Sequence, residues 1–582
     1  MAYADERDER AVTGDEHAEA TGERQVPAFV DRYPSAARYV RVSFAIAFTA
    51  LGVGGLFGLI QALHRTGALR IIPSADYYTV LTGHGVLMAL VFTTFFILGL
   101  FTWAVTDSLE RELDPRLRWT GLGLMTFGTL CAVTAILGGL VGQIPFNADV
   151  LYTMYAPMEA SPVFYLGAAL IVVGSWITGA SYFKAFFAWR GQHPDERIPL
   201  RTFMVLTTML MWYLSSLGVA VEVVVFLLPW SLGIIPKVNP LLTRTLFWYF
   251  GHPVVYFWLL PAYVAWYTVL PKLAGGRLFS DPLARIVFVL FLLLSTPTGF
   301  HHQYLDPGIA EGFKYIAMTN TMFLLLPSLL TAFTVVASME HGARQRGGDG
   351  YVGWLRALPW DDPAFSGMAL AGLMFAAGGF SGMVNAGLNL NYLIHNTIWV
   401  PGHFHLTVGT AFALTAMAVS YWLVPQVTGK RLKLRGMAIA QPYVWFLGMT
   451  LMSNAMHRAG LAGVPRRTAE PYSGGVTYDA VFGSVSEMRV QIALGGTLLF
   501  VALVMFLAVM VATWMGRSGA RLSVNGNLPP ALSGPEHAPR VLDNLRLWTL
   551  IAILLVVLTY ALPLAGMVAN GLFTPGSPPI PV

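Results

Sequence analysis

The sequence predicts an all-α protein, a polytopic membrane bundle of about thirteen transmembrane helices with a cytoplasmic N-terminus. The first observation is composition: of 582 residues, 55% are hydrophobic and only 12% are charged, a balance far from that of soluble globular domains. The second is that the apolar residues form stretches of about 20 residues, the length that crosses a bilayer as a helix. The third is an uneven distribution of basic residues between the connections.

Each predicted span is an apolar stretch bounded by polar or turn-forming residues. In order, the spans are Val40 to Leu63, Tyr78 to Trp103, Thr120 to Val141, Phe164 to Phe187, Met204 to Leu228, Thr245 to Leu270, Ile286 to His302, Tyr315 to Val336, Ser366 to Val384, Ile398 to Pro425, Met437 to Met456, Val490 to Met515 and Leu547 to Met567. The connections are mostly short, which predicts no separate soluble domain. The one long linker, 516–546, is rich in Gly, Pro, Ser and Asn.

The basic residues set the orientation, because cytoplasmic connections of membrane proteins carry an excess of Lys and Arg. Of 36 such residues, 27 lie before the first span or in alternate connections, and 9 lie on the other side. The N-terminus is therefore predicted to be inside. The net charge of +5 reflects this topology and not a nucleic-acid surface, which would cluster basic residues on one soluble face.

The chain divides into three predicted parts. Residues 1–35 mix charges of both signs without an apolar core and are expected to be a disordered cytoplasmic tail. Residues 36–570 form the transmembrane domain, and 571–582 form a short outer tail. The single cysteine, Cys131 in the third span, excludes an internal disulfide and a cysteine-rich metal cluster. Any such centre must lie on a partner.

Six histidines fall at one depth, near the outer ends of four spans. They lie in "LTGHGVLMA", "FGHPVVYFW", "TPTGFHHQY" and "PGHFHL" and are His84, His252, His301, His302, His403 and His405. Polar residues in membrane spans are unfavourable and indicate a functional site. A lone membrane histidine is as often a packing residue as a ligand, but six at one depth favour haem iron or copper, which neutral imidazole binds without adding negative charge.

The spacing of these histidines separates their roles. At 100° per residue, the two histidines of "PGHFHL" point about 200° apart, so one helix can serve two centres. His301 and His302 are about 100° apart at a helix end, where loosening of the last turn could aim both at one ion. Tyr256 follows His252 by four residues, which places its phenol beside that ion.

These residues and their order resemble subunit I of the haem-copper terminal oxidases. The resemblance covers roughly residues 35–570, and "GHPVVYFWLLPAY", "STPTGFHHQYLDPG", "HNTIWVPGHFHL" and "VPRR" are similar to the B-type cytochrome c oxidases. It implies a respiratory enzyme of the cell's inner (plasma) membrane. Such an enzyme transfers electrons from cytochrome c to dioxygen, forms water and translocates protons.

The resemblance also implies a ligand set for each cofactor. His84 and His405 would be the axial ligands of a low-spin haem b. His403 would be the proximal ligand of a high-spin haem, whose a-type or o-type substituent the ligand does not distinguish. One copper ion, CuB, would be held by three histidines, His252, His301 and His302.

Further residues gain roles from the same resemblance. Tyr256 would be cross-linked to the first copper ligand and would supply an electron and a proton during O–O cleavage. Arg466 and Arg467 would pair with haem propionates, the alternative being an ordinary solvated loop pair. His395 and Asn396 would lie on the propionate and proton-exit side.

Three positions that are acidic in this chain or in related oxidases are relevant to proton transfer. Many relatives have an acidic residue where this chain has Asn391, so an exit route that requires a carboxylate there is not expected. A-type oxidases have a glutamate two residues after the histidine of "GHP", where this chain has Val254. Glu222, deep in the fifth span, is interpreted as supporting the site from behind its ligands.

One proton path from the cytoplasm is predicted on the sixth and eighth spans. Its residues are Tyr256, Tyr263 and Tyr267 on the sixth span and Ser328, Thr331 and Thr334 on the eighth. The tyrosines lie within about 20° of one helical stripe, and B-type relatives use a path of this kind. The alternative is that these hydroxyls bond only their own helix backbone.

The partners follow from what the chain lacks. It has too few cysteines for a dinuclear copper centre, so a subunit II should carry that centre and receive electrons from cytochrome c or a similar small redox protein. Dioxygen and membrane lipid are further partners, and nucleic acid is not expected. Two alternatives are a nitric oxide reductase of the same superfamily, against which Tyr256 and Val254 argue, and a secondary transporter.

Overall fold

A computed structural model describes residues 26–142, 146–469, 485–516, 523–524, 530–569 and 571, which are nearly all helical. Twelve helices in this part of the chain are long and apolar enough to cross a membrane. They are α1 (Pro34–Thr66), α2 (Ser74–Ser108), α3 (Pro115–Leu140), α4 (Pro162–Gln192), α5 (Leu200–Ser231), α6 (Pro240–Leu273), α7 (Asp281–Gln303), α8 (Glu311–Gln345), α9 (Pro363–Ala386), α10 (Trp399–Thr428), α12 (Ser486–Met515) and α13 (Leu545–Ala569).

The remaining predicted span is α11 (Arg435–Leu461), which is less apolar than the other twelve. Its 27 residues make it about 40 Å long, enough to cross a bilayer. Polar residues such as Gln441 and Asn454 lower its hydropathy. It packs against α9, α10 and α12. Every predicted span therefore coincides with a helix, and the chain is a multi-pass membrane protein.

Several helices begin earlier than the apolar pattern predicts, because their caps lie outside the apolar stretch. Asp114, Asn239 and Asp362 each accept hydrogen bonds from two backbone N–H groups in the first turns of α3, α6 and α9. A proline follows each cap, where its missing N–H removes no helical hydrogen bond. These helices consequently start three to five residues before the predicted spans.

Among the described residues, four spans contain π-helical or 3-10 turns, and in three of them these turns lie beside predicted ligands. Wide π-helical turns occur at Leu87–Phe92 in α2, Glu222–Leu227 in α5 and Thr407–Phe412 in α10. Two of them directly follow the turns that carry His84 and His405. α7 tightens into a 3-10 helix over Thr296–Gln303, which contains His301 and His302. Such irregular turns redirect side chains and are frequent at functional sites.

The end of the predicted N-terminal tail is packed in the structure. β1 (Val26–Pro27) pairs antiparallel with β2 (Ser523–Val524), Phe29 is buried, and Arg32 pairs with Asp107 at 2.6 Å. Ordered structure thus begins before residue 35, because Phe29 and Arg32 find partners in the bundle. Residues 1–25 of that tail, and all of the predicted outer tail except Gly571, lie outside the described residues. The division into tails and core stays a prediction.

The connection between α3 and α4 folds back into the outer half of the bundle. The rings of Tyr152 and Tyr155 lie 5.7 and 5.8 Å from the ring of Phe247 on α6. The Leu151 backbone N–H donates to Thr82 Oγ1 on α2 at 2.9 Å. Irregular backbone at membrane depth is tolerated only where protein surrounds it or it lines a cavity. Here it forms part of the wall of the central cavity.

Candidate functional site

A central cavity of about 480 Å³ reaches all six predicted ligand histidines. Its walls come from α1, α2 and α6 through α12, together with the outer connections. The other predicted site residues that line it are Tyr256, Ser328, His395, Asn396, Arg466 and Arg467. Residues that the sequence places on different helices therefore line one cavity.

His84 on α2 and His405 on α10 face each other with nearly parallel rings. Their ring centroids are 6.3 Å apart and the planes differ by 12°. Two imidazoles that each place a nitrogen ~2 Å from a shared ion have centroids roughly 6 Å apart. His84 Nδ1–H donates to the Gly54 carbonyl at 2.8 Å, and His405 Nδ1–H donates to the Pro401 carbonyl at 2.7 Å. Both Nε2 atoms are left free to bind metal, so the pair fits a bis-histidine iron site.

His403 is anchored in the same manner but toward another helix. Its Nδ1 lies 2.9 Å from the Gly378 carbonyl and 3.0 Å from Ser381 Oγ, both on α9. The carbonyl can only accept, so Nδ1 carries the proton and Nε2 remains available as a ligand. His405 faces α2 instead. The two histidines thus serve different parts of the cavity, as a separation of about 200° requires.

Two glycines leave the space that these rings occupy. A Cβ on Gly58 of α1 would lie 2.9 Å from His84 Cε1, and one on Gly382 of α9 would lie 2.8 Å from His403 Cε1. Carbon atoms pack optimally at about 3.5–4.0 Å, so a larger residue at either position would displace the ring. The two glycines are therefore part of the candidate site.

Among the described residues, one group of three histidines could hold a metal ion: His252, His301 and His302. Their ligand atoms lie within 4.8 Å of one another. His252 Nδ1 and His302 Nε2 are 3.3 Å apart, and two nitrogens ~2 Å from one tetrahedral ion would also be about 3.3 Å apart. Three neutral imidazoles suit copper. The residues present therefore fit the copper ion that the sequence predicts.

The tightened end of α7 brings its two histidines together. Their ring centroids are 4.2 Å apart. His301 Nδ1 lies 2.9 Å from Thr321 Oγ1 on α8, and the His302 ring stacks on Trp248 with centroids 3.7 Å apart. Sequence reasoning missed Trp248 and Thr321. Trp248 lies four residues before His252, a spacing that could have indicated it, whereas nothing in the sequence indicates Thr321.

Tyr256 lies beside the first of these histidines. The centroids of the Tyr256 and His252 rings are 5.1 Å apart, with planes at 72°. His252 Nε2 is buried and has no hydrogen-bond partner among the described residues. The four-residue spacing on α6 therefore produces the predicted contact between phenol and imidazole.

The two predicted proton-path stripes face each other between α6 and α8. The Tyr267 hydroxyl and Thr331 Oγ1 are 2.6 Å apart. Ser328 and Thr331 also lie near the Tyr263 hydroxyl. Ser328 and Tyr256 both line the central cavity, which joins the outer end of these stripes to the group of three histidines.

Hydrogen bonding to the local helix backbone, the alternative to a proton path, explains only some of the hydroxyl groups on α8. Ser328 Oγ donates to the Leu324 carbonyl at 3.0 Å, and Thr331 Oγ1 donates to the Pro327 carbonyl at 2.9 Å. Thr334 Oγ1 is buried without a hydrogen-bond partner in the described part of the chain. Bonding to the local backbone therefore accounts for Ser328 but not for Thr334 or for the second contact of Thr331.

Arg466 and Arg467 lie at the outer end of the cavity, on a loop that pairs with the segment before α10. The Arg466 backbone N–H donates to the Asn396 carbonyl at 2.9 Å, and Arg466 Nη2 donates to Asn396 Oδ1 at 3.1 Å. Asn396 and Arg467 both adopt left-handed backbone conformations, with φ of 58° and 61°. The Arg467 guanidinium lies 5.5 Å from the centroid of the Tyr155 ring. These contacts hold both arginines at the cavity mouth.

The mouth of the cavity is electropositive. Burial, followed by the neighbouring Arg467, lowers the pKa of Arg466 to about 9, and Arg466 Nε has no hydrogen-bond partner among the described residues. Burial, followed by the Arg466 charge, lowers the pKa of His395 to about 4. Arg244, which the sequence did not single out, pairs with Asp306 at 2.8 Å. A bound carboxylate would accept a hydrogen bond from the free Arg466 Nε–H.

Asn391 keeps part of the role that an acidic residue would have. Its Oδ1 accepts a hydrogen bond from His395 Nδ1–H at 2.9 Å, and its Nδ2 donates to the Asn385 carbonyl at 2.7 Å. The hydrogen-bond acceptor is therefore retained without the charge. Glu222 is fully buried, and neither carboxylate oxygen has a partner among the described residues, but it does not line the cavity.

The comparisons with known proteins all identify oxidases. The family described as "Cytochrome C and Quinol oxidase polypeptide I" matches residues 38–498. A cytochrome c oxidase subunit 1 from Thermus thermophilus is 44% identical over 528 residues, covering 88% of this chain and 92% of that protein. A cytochrome c oxidase polypeptide 1 from Halobacterium salinarum is 26% identical over 497 residues, covering 82% and 77%. A cryo-EM structure of a haem-copper terminal oxidase dimer has a TM-score of 0.86 and 37% identity, covering 94% of this chain and 96% of that chain.

Proposed function

Because the chain belongs to the family of cytochrome c and quinol oxidase polypeptide I, we propose that its six clustered histidines hold two haems and one copper ion. Its activity is that of a terminal respiratory oxidase, which passes electrons from cytochrome c to dioxygen, forms water and translocates protons. The relatives described above are cytochrome c oxidases, and nothing in the comparisons favours a nitric oxide reductase or a transporter.

The assignment of the haem ligands rests on one observation above all. His84, His403 and His405 each have Nδ1 fixed by a backbone carbonyl, which orients the ring and presents Nε2. We assign His84 and His405 to low-spin haem b, and His403 to a high-spin haem of a-type or o-type. When bound, the haems and copper would supply electron transfer and the reduction of dioxygen. The protein fixes the ligands and keeps the centre buried.

The copper site and its phenol are assigned from their mutual geometry. His252, His301 and His302 would hold the copper ion, with Thr321 and Trp248 fixing two of the rings. His252 Nε2 is free of hydrogen bonds and lies on the ring that neighbours Tyr256. We assign the covalent cross-link to these two residues, with Tyr256 as the donor of a proton and an electron to the reaction.

Protons would enter along the facing stripes of α6 and α8. The hydrogen bond between Tyr267 and Thr331 joins the stripes, and Tyr263 and Ser328 continue toward Tyr256 and the cavity. Thr334 lies at the cytoplasmic end of the stripe and has an unpartnered hydroxyl among the described residues. An intervening water could link these groups, because each has an unused donor or acceptor.

The outer cluster would bind the haem carboxylates and take part in proton release. Arg466 and Arg467 would pair with the propionates, because Arg466 Nε is buried without a hydrogen-bond partner among the described residues while Nη2 donates to Asn396. His395 and Asn396 lie beside them, and Asn391 orients His395. A carboxylate at position 391 is therefore unnecessary for holding the imidazole.

As the subunit I of a cytochrome c oxidase, the chain implies a subunit II partner and a cytochrome c donor. We propose that subunit II carries a dinuclear copper centre, because the only cysteine here, Cys131, cannot form one. We further propose the plasma membrane as the location, with lipid around the bundle and dioxygen as substrate.

Elemental analysis and spectra of the purified chain test the assignment. We expect two haems and one copper per chain, with the haem types identified after extraction. A His193→Ala variant is the control, because that histidine stacks on Trp189 at the cytoplasmic side and should leave the metals unchanged. One haem per chain would overturn the haem assignment, and non-haem iron without copper would favour a nitric oxide reductase.

A further inference from the structure

α13, the final helix in the described part of the chain, contacts the segment that carries two of the proposed copper ligands. The Tyr560 hydroxyl on α13 accepts a hydrogen bond from the Gly299 backbone N–H at 2.9 Å. The Tyr560 ring stacks on Phe300 with centroids 4.8 Å apart. Gly299 and Phe300 directly precede His301 on α7. Tyr560 is only 2% exposed, so protein surrounds the contact.

The local backbone explains why Gly299 takes a partner from another helix. α7 changes from α-helical to 3-10 geometry at Thr296–Gln303, and Pro297 lies outside helical backbone angles there. Thr298 Oγ1 donates to the Ser295 carbonyl at 2.6 Å, the carbonyl that the Gly299 N–H would use in a continuous α-helix. A 3-10 turn offers the Gly299 N–H only the Thr296 carbonyl, three residues back, in a poorer hydrogen-bond geometry. The Tyr560 hydroxyl supplies a second acceptor, from another helix.

Gly299 is also the point where three helices meet. A Cβ at this position would overlap both the Trp248 carbonyl on α6 and the Tyr560 hydroxyl on α13. Trp248 stacks on the His302 ring, so α6 fixes one side of the copper-ligand pair. The contact from α13 fixes the backbone on the other side. Gly299 therefore lies in close contact with both α6 and α13.

We propose that Tyr560 is a positioning residue for the copper centre: its hydroxyl holds Gly299 and thereby sets how His301 and His302 converge on one ion. This inference rests on the proposed function, in which these histidines bind copper. Tyr560 acts through the backbone and contacts no ligand atom. A merely structural role would change the stability of the protein but not the geometry or retention of copper.

The test uses Tyr560→Phe, which deletes the hydroxyl and keeps the ring that stacks on Phe300. Thr559→Val is the matched control, because it removes a neighbouring buried hydroxyl that donates only to its own helix, at the Leu555 carbonyl 2.9 Å away. Both variants are prepared as the holoenzyme with its partner subunits. Copper-to-iron ratio is followed during exposure to a copper chelator. The infrared band of carbon monoxide, transferred by light from haem to copper, reports the copper ligand geometry.

We expect Tyr560→Phe to lose copper about tenfold faster than the wild type, the factor expected for the loss of one buried hydrogen bond. Its infrared band should shift or broaden, while the reduced haem b spectrum and the Thr559→Val control stay at wild type. Wild-type copper loss together with a wild-type band in Tyr560→Phe would overturn the inference, whatever the change in thermal stability. Absence of copper from the wild-type holoenzyme would instead overturn the proposed copper site, and with it this role.

Discussion

Replacing Gly382 by alanine should damage the high-spin haem site and leave the rest of the bundle intact. The new Cβ would lie 2.8 Å from His403 Cε1 and 3.5 Å from both ring nitrogens. Carbon atoms pack without repulsion at about 3.5 Å or more, so the ring would have to retreat by about 0.7 Å. That movement would carry Nε2, the proposed iron ligand, away from its position.

The ring has little freedom to make this movement. Its Nδ1 is held by the Gly378 carbonyl at 2.9 Å and lies 3.0 Å from Ser381 Oγ, so a shift strains these contacts. Overpacking of this kind costs about 1–3 kcal/mol. If the cost falls on ligation, the equilibrium for haem binding by His403 should weaken about 5- to 150-fold.

The assay compares Gly382→Ala with Gly372→Ala, about three turns away on α9 and outside the cavity wall. A Cβ on Gly372 would meet nothing within 4 Å, so that variant should be neutral or gain up to about 1 kcal/mol of helix stability. Carbon monoxide binding to the dithionite-reduced enzyme, with haem content per chain, measures the high-spin site. Wild-type amplitude and affinity in Gly382→Ala would refute the argument that this glycine keeps space for His403.

The remaining predictions separate the other parts of the site. His405→Ala should abolish the low-spin haem b spectrum, whereas His403→Ala should abolish carbon monoxide binding; equal damage to both haems in both variants would contradict their separate directions on α10. His301→Ala should lose copper and keep most of the haem, which the copper-to-iron ratio measures, and full copper retention would mean that the ligands are misassigned. Thr331→Val should slow oxygen reduction at least tenfold with metals unchanged, because it removes the bond that joins the stripes. Thr450→Val, which removes an exposed hydroxyl bonded to its own helix, is its control, and turnover near wild type in Thr331→Val would rule out a single path.

The spans were predictable because membrane insertion requires long apolar stretches, which leave a direct record in the sequence. The ends of the helices were less predictable than the spans themselves. Asp114 and Asp362 cap helices from outside the apolar stretch, and the hydropathy pattern does not register a capping side chain. In α11 the hydropathy is low although the helix belongs to the bundle. Its polar residues lower the hydropathy, and it packs against three neighbouring helices.

The site was predictable where one helix supplies the relation between two residues. His252 and Tyr256 are separated by one helical turn, so their contact follows from spacing alone. Thr321 and Gly54 contact their histidines from other helices, and those contacts depend on how α8 and α1 pack. The sequence predicted a loosened last turn of α7, whereas the structure tightens it into a 3-10 helix over Thr296–Gln303. The spacing could not show this, because the segment also bonds to α6, α8 and α13.

The placement of His403 and His405 on one helix has a consequence for how accurately the enzyme must be built. The two side chains leave the backbone only two residues apart, about 3 Å along the helix axis, a distance set by covalent geometry. Thermal expansion of the bundle, or a change of lipid thickness, can tilt or translate α10 without altering that interval. The distance between the two proposed iron ligands should therefore change little when the bundle is disturbed. The distances from these ligands to α2 and α6 depend on packing between separate helices, so they should vary more.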